Sequence, residues 1–116
     1  MPFDSTTFVE ESQVVKDLRA ARALLDHPDK WVKGCLRSGG GFCIIGAANE
    51  VTLGPAHRRT MSDEDARWVR ATAILHAIEA ALPRCGLIAD FNDARSTKHA
   101  DIMDLFDRAI AAETKP

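Results

Sequence analysis

Three stretches of this chain repeat their apolar residues every three or four positions, and that spacing commits most of the sequence to amphipathic helices. In the first, Val14, Leu18, Ala21 and Leu25 share a face widened by Val15 and Leu24, with Lys16, Asp17, Arg19 and Arg22 on the other sides. Thr6 and Thr7 are placed to cap a start near Phe8 to Glu11, and Glu10 and Glu11 suit the positive end of the helix dipole. His27-Pro28 stops this helix, because a residue before proline is pushed out of the α region. In the second stretch the face is Ala71, Ile74, Leu75, Ile78 and Leu82, with Trp68 one turn earlier and Pro83 as the stop. Ser62 and Asp65 resemble a capping box at its start, supported by Asp63 and Glu64 in the first turn. In the third, Ile102, Leu105, Phe106, Ala109 and Ile110 form the stripe, Asp101, Asp104, Asp107 and Arg108 face outward, and Ser96 or Thr97 is the cap.

The segments between are less regular. Asp29 can cap a short turn carrying Trp31, and "WVKGCLR" reads either as a helical turn or as a short strand. The glycines at 39, 40 and 41 let the backbone enter regions closed to other residues. Pairing of Trp31–Arg37 with Phe42–Gly46 across them would make a hairpin. The run from Phe42 to Val51 does not alternate, however, and Ile44, Ala47, Ala48 and Val51 fit one helical face, so a helix is favoured there. Gly54-Pro55 ends that element, and "LIADFND" reads as a helical turn or a short strand. The expected fold is mainly α, a small bundle of about four helices with a short two-stranded ribbon near residues 31–45.

A length of 116 residues fits one domain with its own core, with residues 1–8 and 113–116 as loose ends. A net charge of −2 supplies no global field toward nucleic acid or anionic lipid, and no apolar run is long enough to span a bilayer. Cys35, Cys43 and Cys85, without a basic-then-apolar leader, point to reduced thiols in a cytoplasm.

Cys43 invites a catalytic reading, since a thiol at a helix N-terminus can serve as a nucleophile. His99 with Asp93 completes a writable Cys43–His99–Asp93 constellation, with His57 and His76 as other bases and Asn92 as another orienter. Packing between Phe42 and Ile44 explains the same cysteine and is favoured. Gly46-Ala47-Ala48 suits close approach of another helix. Asn92 and Asp93 suit a structural role before the last helix, or a polar cluster in a cleft with Cys43 and Trp31. No cofactor motif and no metal-ligand spacing is present in the sequence. Arg58, Arg59, Arg67 and Arg70 cluster, but Asp63, Glu64 and Asp65 lie among them, which disfavours nucleic acid and suits local ion pairs.

Three short pieces, Trp31-x-x-Gly34, Cys43-x-x-Gly46-Ala47 and Phe91-Asn92-Asp93…Thr97 leading into "DIMDLFDRAI", resemble a family of small bacterial and phage-encoded proteins known as a domain of unknown function. The similarity runs over about residues 14–112, departs from the pattern at Phe91, where a tryptophan is more usual, and has a short segment between Gly34 and Cys43. It implies a mostly helical protein and carries no activity. The expectation is therefore a non-enzymatic binding or adaptor protein that contacts a protein partner or a second copy of itself, with no membrane attachment. Trp31, Asn92, Asp93, Arg67 and Arg70 are its candidate contact residues. A hydrolase or transferase using Cys43 is the alternative.

Overall fold

The computed structural model describes residues 11–54 and 64–114, the first three of the second stretch by backbone alone. Helix α1 spans Gln13–Leu24 and is capped by Ser12, whose hydroxyl accepts the Val15 N–H at 3.3 Å. The cap expected at Thr6 or Thr7 lies outside the described residues, and Glu11 instead pairs with Arg19 at 2.7 Å. A single 3-10 turn, Pro28–Lys30, follows; its cap is the His27 ring nitrogen accepting the Asp29 N–H, not the Asp29 carboxylate.

Both of the structures that the sequence left open between Trp31 and Val51 are present, one after the other. Strands β1 (Arg37–Ser38) and β2 (Gly41–Phe42) pair antiparallel, Arg37 opposite Phe42 and Ser38 opposite Gly41. Gly39 and Gly40 connect them with φ of +55° and +86°. Left-handed backbone at both central residues is the type I′ turn that matches strand twist. The ribbon then stops at Phe42. Cys43 caps α2, which runs Ile44–Leu53 with Ile44, Ala47 and Ala48 buried, and Gly54 closes it at φ +77°.

Helix α3 (Glu64–Ala81) is the longest, α4 (Ile88–Asp93) settles "LIADFND" as helix, and α5 (His99–Thr114) ends the description. The start expected at Ser62 falls outside the described residues. For α5, Lys98 and not Ser96 or Thr97 takes the cap position. Its carbonyl accepts the Asp101 and Ile102 N–H groups, and the Asp101 carboxylate accepts the Lys98 N–H at 2.9 Å. Glu113 and Thr114, placed by the sequence in a loose tail, belong to α5.

Helices α1, α2, α3 and α5 pack against one another, and α4 lies on α2. Leu18, Leu25, Ile44, Ile74, Ile78, Ile102 and Phe106 make the dry centre. The α5 stripe is buried at all five expected positions. The buried face of α3 is rotated from expectation: Ala77 and Ala81 are inside, Leu75 and Leu82 are half-buried, and Trp68 is 48% exposed. Alanine on the contact face lets helix backbones approach, so the larger side chains fall to the flanks.

Asp17 departs from the outward placement that its charge suggested. It is 3% exposed and accepts two hydrogen bonds from Arg70, at 2.7 and 3.1 Å, and one from Gln13 at 2.9 Å. This pair ties α1 to α3. A bidentate guanidinium–carboxylate geometry compensates a buried charge far better than a single contact does. Among the described residues no helix is long and apolar enough to cross a membrane.

Candidate functional site

The 13-residue segment from Trp31 to Cys43 is held against α2 and α4 by a small set of polar contacts centred on Asn92. The Asn92 side chain is 1% exposed. Its Oδ1 accepts from the Trp31 indole N–H at 2.8 Å and from the Ile44 backbone N–H at 3.1 Å. Its Nδ2 donates to the Val32 carbonyl at 3.0 Å and to Asp93 Oδ1 at 2.9 Å. An amide offers two donors and two acceptor sites, so all four are used. The indole is donor-only, which fixes the orientation of the amide. The bond to Ile44 also satisfies one of the N–H groups that a helix start leaves without an internal partner.

Asp93 extends the network. Its Oδ1 also accepts the Gly34 N–H at 2.8 Å, holding that glycine at φ +80°. The Asn92 amide, the Gly34 N–H and the nearby Lys33 charge together lower the Asp93 carboxyl below the ordinary carboxylate range. Lys33 donates to the Ala94 carbonyl at 2.6 Å and lies 5.3 Å from the centre of the Trp31 ring. Every residue from Trp31 to Gly34 except Val32 thus has its side chain or N–H fastened to the α4 end, and Val32 contributes its carbonyl.

Further along, the Leu36 carbonyl accepts the Cys43 N–H at 3.1 Å and lies directly over Gly46. A Cβ at residue 46 would land on that carbonyl, 2.8 Å from its carbon and 3.3 Å from the Leu36 Cα. The close approach read from Gly46-Ala47-Ala48 is real, but at Gly46 the approaching group is loop backbone and not another helix. Asn92 and Asp93 organise the Trp31–Phe42 segment and the start of α2; of the two readings the sequence left open, the contacts follow the polar cluster with Cys43 and Trp31 and not the approach to α5.

Cys43 is 7% exposed, and its Sγ accepts the Gly46 N–H at 3.3 Å as the cap of α2. His99 places Nε2 2.6 Å from the Leu25 carbonyl, joining the start of α5 to the end of α1, with its ring 6.4 Å from that of Trp31. Asp93 is bonded to Asn92 and Gly34. The three members of the written constellation are therefore engaged with three different sets of partners. Of the other bases, His76 is exposed on α3, and His57 lies outside the described residues.

Cys43 and Asp93 do meet at one surface feature. A groove of about 260 Å³ is lined by Gly34, Cys35, Leu36, Cys43, Ile45, Ala89, Asn92 and Asp93. Its rim is mostly apolar, and Leu36 is 54% exposed there. Leu36, Ile45 and Ala89 carried no sequence signal, since each is an ordinary apolar residue whose surface position depends on the loop's path. Trp31 stands behind the groove through its bond to Asn92. Arg67 and Arg70 lie elsewhere: Arg67 donates to the Leu53 carbonyl at 3.2 Å near the end of α2, and Arg70 grips Asp17, whose hydrogen bonds raise the arginine's pKa further. Arg58 and Arg59 fall outside the described residues. Among the described residues no three His, Cys, Asp or Glu side chains converge as metal ligands would.

The three motif pieces named from the sequence are thus one physical unit: Trp31 and Gly34 on the segment, Cys43 and Gly46 at the start of α2, Asn92 and Asp93 at the end of α4. No curated protein and no solved structure matches the chain. The model of one family covers residues 10–112, a span that includes all of these contacts, and the chain belongs to that family, described as a family of unknown function (DUF6197).

Proposed function

We propose that this protein is a non-enzymatic binding module that contacts a protein partner, or a second copy of itself, through the groove beside Leu36. One observation carries this: the groove presents an exposed apolar side chain, Leu36, while Cys43, Asn92 and Asp93, which also line it, are engaged in hydrogen bonds within the chain. General acid–base or nucleophilic chemistry needs a base within reach of the reacting group. Here the bonds of Cys43, His99 and Asp93 hold the scaffold together. A large apolar side chain on a fixed loop suits an interface anchor. The motif resemblance favours a small bacterial or phage-encoded protein, and the odd number of cysteines suits a reducing cytoplasm. Trp31, Asn92 and Asp93 position the contact surface in this account, and Arg67 and Arg70 steady the helices behind it.

The test is Leu36→Arg, a change at an exposed side chain that leaves the core alone. Sedimentation velocity over a range of concentrations and chemical crosslinking read self-association; affinity capture compared between wild type and variant reads a foreign partner. The substitution is expected to abolish the association. A wild type that stays monomeric and captures the same proteins as Leu36→Arg refutes the proposal.

The second reading, a Cys43-dependent hydrolase or transferase, rests on Cys43 and Asp93 lining the same groove. It requires Cys43 to react with iodoacetamide faster than Cys35 and Cys85 near neutral pH. The non-enzymatic reading expects Cys43 to react slowest of the three.

A further inference from the structure

We propose that Cys35 and Cys43 are a reactive thiol pair that closes to an intramolecular disulfide at the expense of a low-molecular-weight disulfide. Both cysteines line the groove beside Leu36. Cys35 is exposed, and its Sγ makes only a long contact, 3.9 Å, to the Lys33 carbonyl; Cys43 is buried. The ribbon sets the spacing between them. Arg37 faces Phe42, and the Cys43 N–H to Leu36 carbonyl bond carries that register one residue further. Cys35 is the residue before Leu36. Cys35 therefore lies one residue beyond the hydrogen-bonded position opposite Cys43, past the end of the ladder and beside the bend at Gly34 (φ +80°), where strict strand alternation no longer applies, and both cysteines line the same groove.

Exposure sets the order of the two exchanges. The Cys35 thiolate attacks one sulfur of the external disulfide, whose S–S bond breaks; one small thiolate leaves and takes a proton, and Cys35 is left as a mixed disulfide. The Cys43 thiolate then attacks the Cys35 Sγ and expels the second small thiol. Two S–H bonds are lost, one S–S bond is made, and the external disulfide is reduced to two thiols. Cys85 is an internal control. It is also exposed, but among the described residues the two grooves it lines at the end of α3 hold no second cysteine, so its reaction stops at the mixed disulfide.

The experiment incubates the whole chain with oxidised glutathione, blocks remaining thiols under denaturing conditions, and maps peptides without reduction. The expected result is a Cys35–Cys43 crosslinked peptide beside a glutathione adduct on Cys85. In Cys35→Ser, a change at an exposed position, Cys43 should stay reduced while Cys85 is still modified. Cys43→Ser should trap Cys35 as its glutathione adduct, and the Cys35→Ser arm stands if that variant folds poorly. The proposal is overturned if Cys35 and Cys85 both end as adducts with Cys43 still free. It is equally overturned if Cys43 links to Cys85 or to another chain, or if Cys35 stays unmodified where Cys85 is saturated.

Discussion

Replacing Gly46 with alanine should destabilise the protein, against the usual direction for a helix interior. In an unobstructed helix, glycine to alanine gains about 1 kcal/mol, through reduced backbone entropy in the unfolded chain and better propensity. At residue 46 the new methyl would coincide with the Leu36 carbonyl, with 2.8 Å to its carbon and 3.3 Å to the Leu36 Cα. No side-chain rotation relieves this, because the obstructing atoms are backbone. Either α2 shifts or the loop lifts. Overpacking of this kind costs about 1–3 kcal/mol. A lifted loop also weakens the bond from the Cys43 N–H to the Leu36 carbonyl, about another 1 kcal/mol. Offsetting the helix gain leaves a net loss of roughly 1–3 kcal/mol, or a drop in Tm of about 4–12 °C for a chain of this size. Urea denaturation monitored by circular dichroism measures it directly. Gly86→Ala is the control, since a Cβ there meets nothing within 4 Å, and it should stay within about 0.5 kcal/mol of wild type. A Gly46→Ala protein as stable as wild type or more so would refute the idea that loop backbone pins this position.

Other outcomes follow from the same contacts. Asn92→Asp keeps the shape but loses the donor to the Val32 carbonyl and sets a carboxylate against Asp93; chemical denaturation should show a loss of about 2–4 kcal/mol, with Trp31 fluorescence altered in the native state. Asp17→Ala should cost about 2–3 kcal/mol, and a double-mutant cycle with Arg70→Met should return a coupling of about 1–2 kcal/mol; additive single changes would deny the pair its role in joining α1 to α3. Asp93 titrates below its ordinary value in the folded chain, so its contribution is present above the unfolded pKa of about 3.9 and disappears as pH falls through the lower folded value. Stability of Asp93→Asn, followed from pH 6 down through roughly pH 3, should therefore converge on wild type at the acid end, and a constant gap across that range contradicts the assignment.

Most of the helical framework was legible in the sequence. The α5 stripe from Ile102 to Ile110 and the α1 positions Leu18, Ala21 and Leu25 needed only the three-and-four spacing, because a bundle buries whichever face is apolar. Asp17 was also within reach. It follows Val14 by three and precedes Ala21 by four, so the periodicity places it on the buried side, but its charge suggested the surface. The missing fact was Arg70, 53 residues away, whose fork makes that burial tolerable.

The motif residues around the site were visible, but their connections were not. Trp31, Gly34, Cys43, Gly46, Asn92 and Asp93 all stood out in the sequence. Local rules gave most of them a local role, as a turn, a cap or a helix contact, and a cleft joining Asn92 and Asp93 to Cys43 and Trp31 stood only as an alternative. The hydrogen bonds that tie Asn92 and Asp93 to Trp31, Val32, Gly34 and Ile44 span 48 to 61 residues along the chain, and contacts of that range leave no periodic trace. The type I′ turn illustrates the division. Three glycines announced that the backbone would turn somewhere between residues 38 and 42. The choice of Gly39 and Gly40 as the turn, and the length of the ribbon, came from where Phe42 and Cys43 must stop to begin α2.

Composition and apolar spacing by themselves determined a small helical bundle with a glycine turn ahead of its second helix, because those features act through nearest neighbours and burial of one face. Only the tertiary structure decided that Asn92 is the fastening for a 13-residue segment and that Leu36 is left exposed above Gly46. Each depends on where backbone groups from distant parts of the chain come to rest, and a hydrogen-bonding group does not show in the sequence which distant partner it will meet.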